Sequence, residues 1–317
     1  GEIPASCAKC HSTPGAVSFL TSGSVGAVSP GTTVECAVCH TDPASGTLRA
    51  HTSVTFPSGA VVENLGPEAI CMECHQGRAS KSSVDSTIAG AGVADDDIVS
   101  PAIRFINIHY YAAAANQFGT VVKGGYEYNG KTYDARFSHI TGYNACNTCH
   151  DPHTLHIREE LCSTCHTFTD PKDLRFYGSF MDYDGDGNMT EGVYYELEGL
   201  KNKLYQTMQR YGRDVTGYPI VYDSHTYPYF FNDTNNNGQA DENEVNYGNS
   251  YTYFTARLIR AAYNYQVAQK DPAAYAHGGK YMIELMYDSI EDLNSALPDP
   301  VNITVMHRGD EGHFDGS

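Results

Sequence analysis

No run of apolar residues in this 317-residue chain approaches the roughly 20 needed to cross a bilayer, so no membrane-spanning helix is expected. Positive charge is scarce. Twenty Lys and Arg stand against 38 Asp and Glu, a formal net charge of −18. So acidic a chain lacks the basic face that nucleic acid or an anionic membrane surface requires of a partner. The opening stretch, GEIPASC, has no basic and apolar signal segment, and Gly1 reads as a processed or trimmed start. Methionine is nearly missing from the first half, where Met72 alone precedes residue 167. Cysteine is absent after residue 165, and before it none is left over from a regular pattern. The length allows one large domain or two modest ones.

That pattern is five Cys-x-x-Cys pairs, each followed at once by histidine: Cys7/Cys10/His11, Cys36/Cys39/His40, Cys71/Cys74/His75, Cys146/Cys149/His150 and Cys162/Cys165/His166. A Cys-x-x-Cys pair serves zinc ligation, a disulfide or covalent haem attachment. Zinc would take the pairs two at a time to complete four thiolate ligands, and five is odd. The residue after each pair decides. Histidine makes up only 14 of the 317 residues, yet it follows all five pairs, which is the attachment signature of c-type haem. Two thiols three positions apart reach the two vinyl groups of one porphyrin, and the next imidazole lies under the iron as its proximal ligand.

On these five motifs the chain resembles the multihaem c-type cytochromes, over residues 7 to 166 or about half its length. The resemblance implies five haem c groups attached outside the cytoplasm and an electron-carrying role, with the protein at the cell surface or extracellular, or else in the periplasm. The absence of any unpaired thiol agrees with an oxidising compartment.

Nine histidines lie outside the motifs, and five of them precede residue 167: His51, His109, His139, His153 and His156. Their number matches the motifs, so they are the candidate distal iron ligands, and bis-histidine coordination is the economical expectation. Met72 sits inside a motif, where it is poorly placed to turn back onto iron. Two imidazoles leave no open iron position, which favours electron transfer over chemistry on a bound substrate. Of the later histidines, His225, His277, His307 and His313, the one best placed to join is His277 in AAYAHGGKY, just before an expected helix. In CNTCHDPHTLHIREELCSTCH, residues 146–166, a porphyrin plane would separate His153 and His156 from the far side of the iron held by His150. Each is therefore expected to reach across to a neighbouring haem.

Five haems in about 166 residues leave porphyrin faces to supply much of the hydrophobic core. The expected fold is a haem-packed, mostly irregular, loop-rich N-terminal half with a few short helices and one β-hairpin, followed by a mainly α C-terminal half with calcium loops. The Gly/Ser/Pro-rich stretch 13–33 reads as a loop over haem surfaces. SPAIRFINIHYYAAAANQFG reads as a helix carrying His109. GGYEYNGKTYDARF reads as a hairpin turning at Asn129-Gly130. The composition shift near residues 167–175 suggests a pentahaem domain, 1–170, and a haem-free, Tyr/Asn/Asp-rich helical domain, 171–317.

In that second half, DTNNNGQADENE fits an EF-hand loop, with Asp233, Asn235, Asn237, Asp241 and Glu244 at liganding positions, Gln239 offering a carbonyl and Gly238 at the turn. DYDGDGNMTEGV matches through Asp182, Asp184, Asp186, Asn188 and Thr190, but Val193 stands where the bidentate glutamate belongs. Glu191 or Glu196 is near enough to replace it. An Asx-rich turn without metal is the alternative for both. Helical spacing marks 190–212, 251–270 and 280–297, and YPIVYDSHTYPYFF between them reads as irregular aromatic packing. The tyrosines read as core or haem-contact residues.

The expected function is outer-sphere electron transfer rather than catalysis, to redox partner proteins or extracellular acceptors. Several multihaem cytochromes of this general kind polymerise into filaments whose subunits share a haem ligand. One feature fits that behaviour: no free histidine lies within forty residues on the C-terminal side of His11. The first haem must then take its distal ligand from afar in the chain or from another copy, so a homo-oligomer or filament is expected. A soluble periplasmic carrier is the alternative. A multihaem oxidoreductase of small nitrogen compounds is further off, because the Cys-x-x-Cys-Lys motif of pentahaem nitrite reductases is absent.

Overall fold

The computed structural model describes residues 1–309; His313 lies outside them. The first 75 residues hold four short helices, α1 (Ala5–His11), α2 (Thr13–Ser22), α3 (Cys36–Cys39) and α4 (Ala69–His75). Two minimal antiparallel hairpins lie between α3 and α4: β1 (His40–Asp42) with β2 (Thr47–Leu48), and β3 (Val54–Thr55) with β4 (Val61–Val62). Then come α5 (Lys81–Ala91), α6 (Ala113–Phe118), α7 (Cys146–Cys149) and α8 (Glu159–Cys162).

After them α9 (Val193–Tyr211), α10 (Ala256–Lys270) and α12 (Gly279–Asn294) pack on one another. The short α11 (Ala274–His277) precedes α12, and β5 (Ile220–Tyr222) pairs antiparallel with β6 (Phe230–Asn232). On α9 the buried positions Leu197, Leu200, Leu204, Met208 and Tyr211 recur at three and four residues, the stripe of an amphipathic helix. α10 is buried nearly all round, and Thr255 caps it by accepting from the Leu258 amide.

The principal core does not stop at residue 170. It joins Ile103, Ile108, Ala112, Ala115 and Tyr126 of the first half to Leu200, Met208, Leu258, Ile259, Met282 and Ile290 of the helical bundle. The expected boundary at 170 therefore runs through one core. Residues 1–75 have much less: their buried apolar residues gather around Val54, Phe56, Ala69 and Met72 or around Ala16, Val38 and Ile70.

Four local expectations are corrected. Residues 13–22 form a helix, not a loop, because Ser12 caps it by accepting from the Gly15 amide, Pro14 fits its first turn and Gly23 closes it at φ 71°. His109 lies outside any helix, at φ 81°. Its neighbours are held outside any helix by bonds from the Arg78 amide to the Ile108 carbonyl and from the Tyr111 amide to the Lys270 carbonyl.

The Asn129-Gly130 hairpin does not form; only the turn does. Side chains of the bundle take the bonds a partner strand would have made. Asn264 accepts from the Tyr126 amide at 2.6 Å and donates to the Tyr126 carbonyl at 2.9 Å, and Glu284 accepts from the Asp134 amide at 2.7 Å. Conversely, part of the aromatic stretch expected to be irregular is the β5–β6 hairpin.

Asn264→Leu leaves both Tyr126 backbone groups buried without partners, at about 1–3 kcal/mol each. The expected outcome is a loss of roughly 2–6 kcal/mol, seen as a lowered denaturant midpoint with an unchanged slope.

Candidate haem and calcium sites

Four attachment motifs are turns of helix. α1 carries Cys7 and Cys10, α3 carries Cys36 and Cys39, α4 carries Cys71 and Cys74, and α7 carries Cys146 and Cys149. In the second and fourth the closing bond runs from the histidine amide to the carbonyl of the first cysteine, His40 to Cys36 and His150 to Cys146, the latter at 2.8 Å. One turn brings the two thiols and the imidazole to one side, because positions three and four apart are neighbours on a helix.

The five motifs, alike in sequence, are not alike in structure, and the difference falls at Cys165. α8 ends at Cys162, so Cys165 lies beyond the helix, in a turn. There the backbone tightens to bonds between residues three apart: the Thr164 amide reaches the Leu161 carbonyl at 3.3 Å and the Cys165 amide the Cys162 carbonyl at 3.1 Å. The His166 amide still closes on the Cys162 carbonyl at 2.9 Å, so the fifth motif keeps the compact turn that attachment needs without continuing as helix.

None of the ten thiols is buried or bridged, and those of Cys36, Cys71, Cys149 and Cys165 are exposed. They are open to a planar group laid against the surface, as thioether attachment needs.

The motifs also crowd together. The Cys10 thiol of the first donates to the Glu73 carbonyl of the third at 3.8 Å. Glu73, buried inside the third, accepts from Lys9 at 2.7 Å, from Gln76 at 2.9 Å and bonds His51 Nε2 at 2.9 Å.

Four motif histidines face a second imidazole. His11 is set against His109 with ring centres 5.9 Å apart, and His40 against His153 at 6.3 Å with planes only 6° apart. His166 is set against His139 at 6.0 Å, and His150 against His277 at 6.3 Å. An iron held by two imidazole nitrogens at roughly 2.0 Å each separates the ring centres by about 6.3 Å. The four gaps are thus the right size for a bis-imidazole iron, and the donor set fits the group the motifs call for. Burial, first of all, lowers the pKa of His109, His139 and His150 below the ordinary 6.5, which favours the neutral, metal-binding ring.

His75 is different: its Nδ1 meets the Tyr111 carbonyl at 2.8 Å, and among the described residues no imidazole is set against its ring.

Three of the five expected distal positions, His109, His139 and His153, face motif histidines. His51 and His156 do not. His51 is drawn to the Glu73 carboxylate through its Nε2. His156 is exposed beside the turn that Asp151 organises by accepting from the His153 and Thr154 amides. The imidazole that faces His11 belongs to this same chain, ninety-eight residues on.

His277 comes from the half expected to be haem-free. Its Nδ1 lies 2.9 and 3.0 Å from the two oxygens of Asp271, a buried carboxylate that also accepts from Asn116 at 2.7 Å. α6 and α11 come together because residue 278 is glycine: a Cβ there would stand 2.2 Å from the Asn116 carbonyl oxygen. Nothing in the local sequence flags Asp271, since only the fold brings it to His277.

Both acidic loops close as Asx-rich turns. Asp182 accepts from the amides of Gly185, Asp186 and Gly187, and Asp233 from those of Asn237 and Gly238. In the first loop Val193 is buried at the start of α9, and Glu196 comes in its place: one oxygen each of Asp182, Asp184 and Glu196 lie within 4.8 Å of one another. Burial above all, with the like charges of Asp186 and Glu196 adding to it, raises Asp184 to about 7.

Gly199 leaves room for this carboxylate, since a Cβ would come 1.5 Å from Asp184 Oδ2. In the second loop Glu244 Oε1 accepts from the amide and hydroxyl of Thr234, both at 2.6 Å, while Oε2 is buried with no hydrogen-bond partner. Asp241 accepts from the side-chain amides of Asn235 and Asn237.

No family model matches the chain, and no solved structure does. Among curated proteins it is similar to the C-type polyheme cytochrome OmcB of Geobacter sulfurreducens, from strains DL-1/KN400 and PCA. Identity is 25%, over 90% of this chain and 43% of that protein. It is also similar to the C-type polyheme cytochrome OmcC of strain PCA, at 26% identity over 90% of this chain and 36% of that protein. The chain spans less than half the length of the curated relatives it matches. These relatives agree with what the five attachment motifs point to, a chain similar to the polyheme c-type cytochromes. Among the described residues no helix is long and apolar enough to cross a membrane.

Proposed function

We propose that this chain holds five haem c groups and conducts electrons by outer-sphere transfer, at the cell surface or outside it, as a segment of an extracellular conduit. One observation carries the reading: four motif histidines face a second imidazole with ring centres 5.9 to 6.3 Å apart. Bound haem supplies reversible one-electron chemistry at iron. The chain supplies the thiols that fix each ring, the imidazole pairs that close both axial positions, and the crowding of motifs that keeps transfer steps short.

His75 extends the proposal to assembly. Lacking an imidazole opposite it in its own chain, among the described residues, it takes its distal partner from a second copy, and repetition of that contact builds a filament. The exposed histidines His156, His225 and His307 are available donors. The same observation supports one other reading, in which the iron over His75 stays open and serves a multihaem oxidoreductase of small molecules. A soluble periplasmic carrier would leave His75 without a shared ligand and without substrate chemistry.

The two acidic loops are proposed to bind calcium as structural ions. The first uses Asp182, Asp184, Asp186 and Glu196; the second uses Asp233, Asn235, Asn237, Asp241 and Glu244. The orphaned Glu244 Oε2 supports the second loop, since a buried carboxylate oxygen without a donor is costly unless a cation meets it.

Replacing any one of His109, His139, His153 or His277 by alanine is expected to convert one low-spin haem to high-spin in the EPR spectrum, whereas His51→Ala, and in dispersed subunits His156→Ala, leave the spin state unchanged. A low-spin spectrum after His153→Ala would refute that pairing. In negative-stain images the protein is expected to form filaments with all haems low-spin. Dispersed subunits should then show one high-spin haem that binds cyanide or carbon monoxide; an open haem persisting in every assembly state would favour the oxidoreductase. Chelator treatment is expected to lower the melting temperature, and Glu244→Gln to remove part of that sensitivity; a melting curve indifferent to chelator would argue against both calcium loops.

A further inference from the structure

We infer that Asp271 is a positioning and electronic partner of His277 that makes the iron site between His150 and His277 the most electron-rich of the four ring-paired sites, and so the most negative in potential. The inference rests on the proposed ligation by His277. Three observations about ring nitrogens carry it.

First, Asp271 engages His277 Nδ1 with both carboxylate oxygens, at 2.9 and 3.0 Å, which leaves Nε2 as the nitrogen for iron in a ring whose centre lies 6.3 Å from that of His150. A carboxylate on the far nitrogen fixes the tautomer and raises the basicity of the ligating nitrogen. A more basic ligand favours the oxidised iron.

Second, this carboxylate is buried, 3% exposed, and water therefore does little to screen it. Its orientation is set by the Asn116 side-chain amide at 2.7 Å and the Ala273 amide at 3.2 Å. Gly278 lets the Asn116 backbone close against the same turn.

Third, the other motif histidines are not so treated. His40 Nδ1 is buried without an acceptor among the described residues, and His75 Nδ1 has a neutral carbonyl, that of Tyr111. An imidazole with no acceptor donates least to iron, so the site between His40 and His153 stands toward the positive end. Electrons entering the row therefore meet a step at the His150 and His277 site, a directional bias written in hydrogen bonds.

The test is a redox titration, with EPR, of the full haem-loaded chain and three variants. In Asp271→Asn one couple is expected to move positive by about tenfold in its oxidised-to-reduced ratio at a fixed potential, or 59 mV for one electron, while every haem stays low-spin. Asn116→Ala removes a donor from the carboxylate and strengthens its hold on His277, so the same couple should move the opposite way; a purely structural role gives no such change of sign. His277→Ala identifies the couple, because that haem alone becomes high-spin.

If both Asp271→Asn and Asn116→Ala leave all couples in place, or shift them in one direction, while His277→Ala still produces the high-spin haem, Asp271 has no tuning role and the ligation stands. A high-spin haem in Asp271→Asn would reduce the carboxylate to a prop and likewise overturn the inference. Should His277→Ala leave every haem low-spin, the ligation itself fails.

Discussion

A gap of about 6 Å between two imidazole rings is the constraint on which this structure turns. One ring of each pair is easily placed, because it follows its thiols within a single turn of backbone. The other must be delivered by a different part of the chain and held there without a local scaffold. His109 is delivered by an irregular segment whose backbone is bonded to Arg78 and to the end of α10. His153 is delivered by the Asp151 turn, and His277 by the end of α11. The rest of the fold can be read as the apparatus that keeps these second rings in place.

That apparatus explains the unequal halves. Residues 1–75 bury few apolar side chains, and the large core belongs to α9, α10 and α12 together with residues 79–128. In the proposed arrangement porphyrin faces complete the first half, and the bundle is the rigid body against which the second rings are positioned. Asn264 and Glu284 show how closely the two are joined, since they satisfy backbone groups of residues 126 and 134 that no strand reaches. Buried backbone groups must find partners, and here the bundle supplies them across the expected boundary.

What the sequence disclosed follows the same division. The attachment motifs were legible because covalent chemistry requires the two cysteines and the histidine to be contiguous. Their backbone form was less so: nothing in the spacing of Cys162 and Cys165 tells that this pair leaves its helix where the other four stay in theirs. The long helices were legible from their apolar spacing, and the acidic loops from the oxygen ligands at fixed offsets. The second rings were not legible, because a partner is fixed through space. Counting five spare histidines before residue 167 matched the motifs, yet only three of them face motif histidines: His51 bonds Glu73, His156 is exposed, and His277 faces His150 from beyond the count. The helix at 13–22 escaped for another reason, since its capping residues, Ser12, Pro14 and Gly23, are also what makes the stretch look like a loop.

The least legible feature carries the most specific functional content. Five identical motifs suggest five identical steps, yet the groups behind the rings differ: a buried carboxylate at His277, a carbonyl at His75, nothing at His40. The attachment chemistry repeats while the surroundings do not, so any gradient along the row has to come from those surroundings. His75 adds a second asymmetry, a site that its own chain leaves incomplete among the described residues. A row that differs from site to site and is unfinished at one of them suits a conductor built from repeated copies. Each copy would then impose the same internal direction, and the unfinished site would set where one copy ends and the next begins.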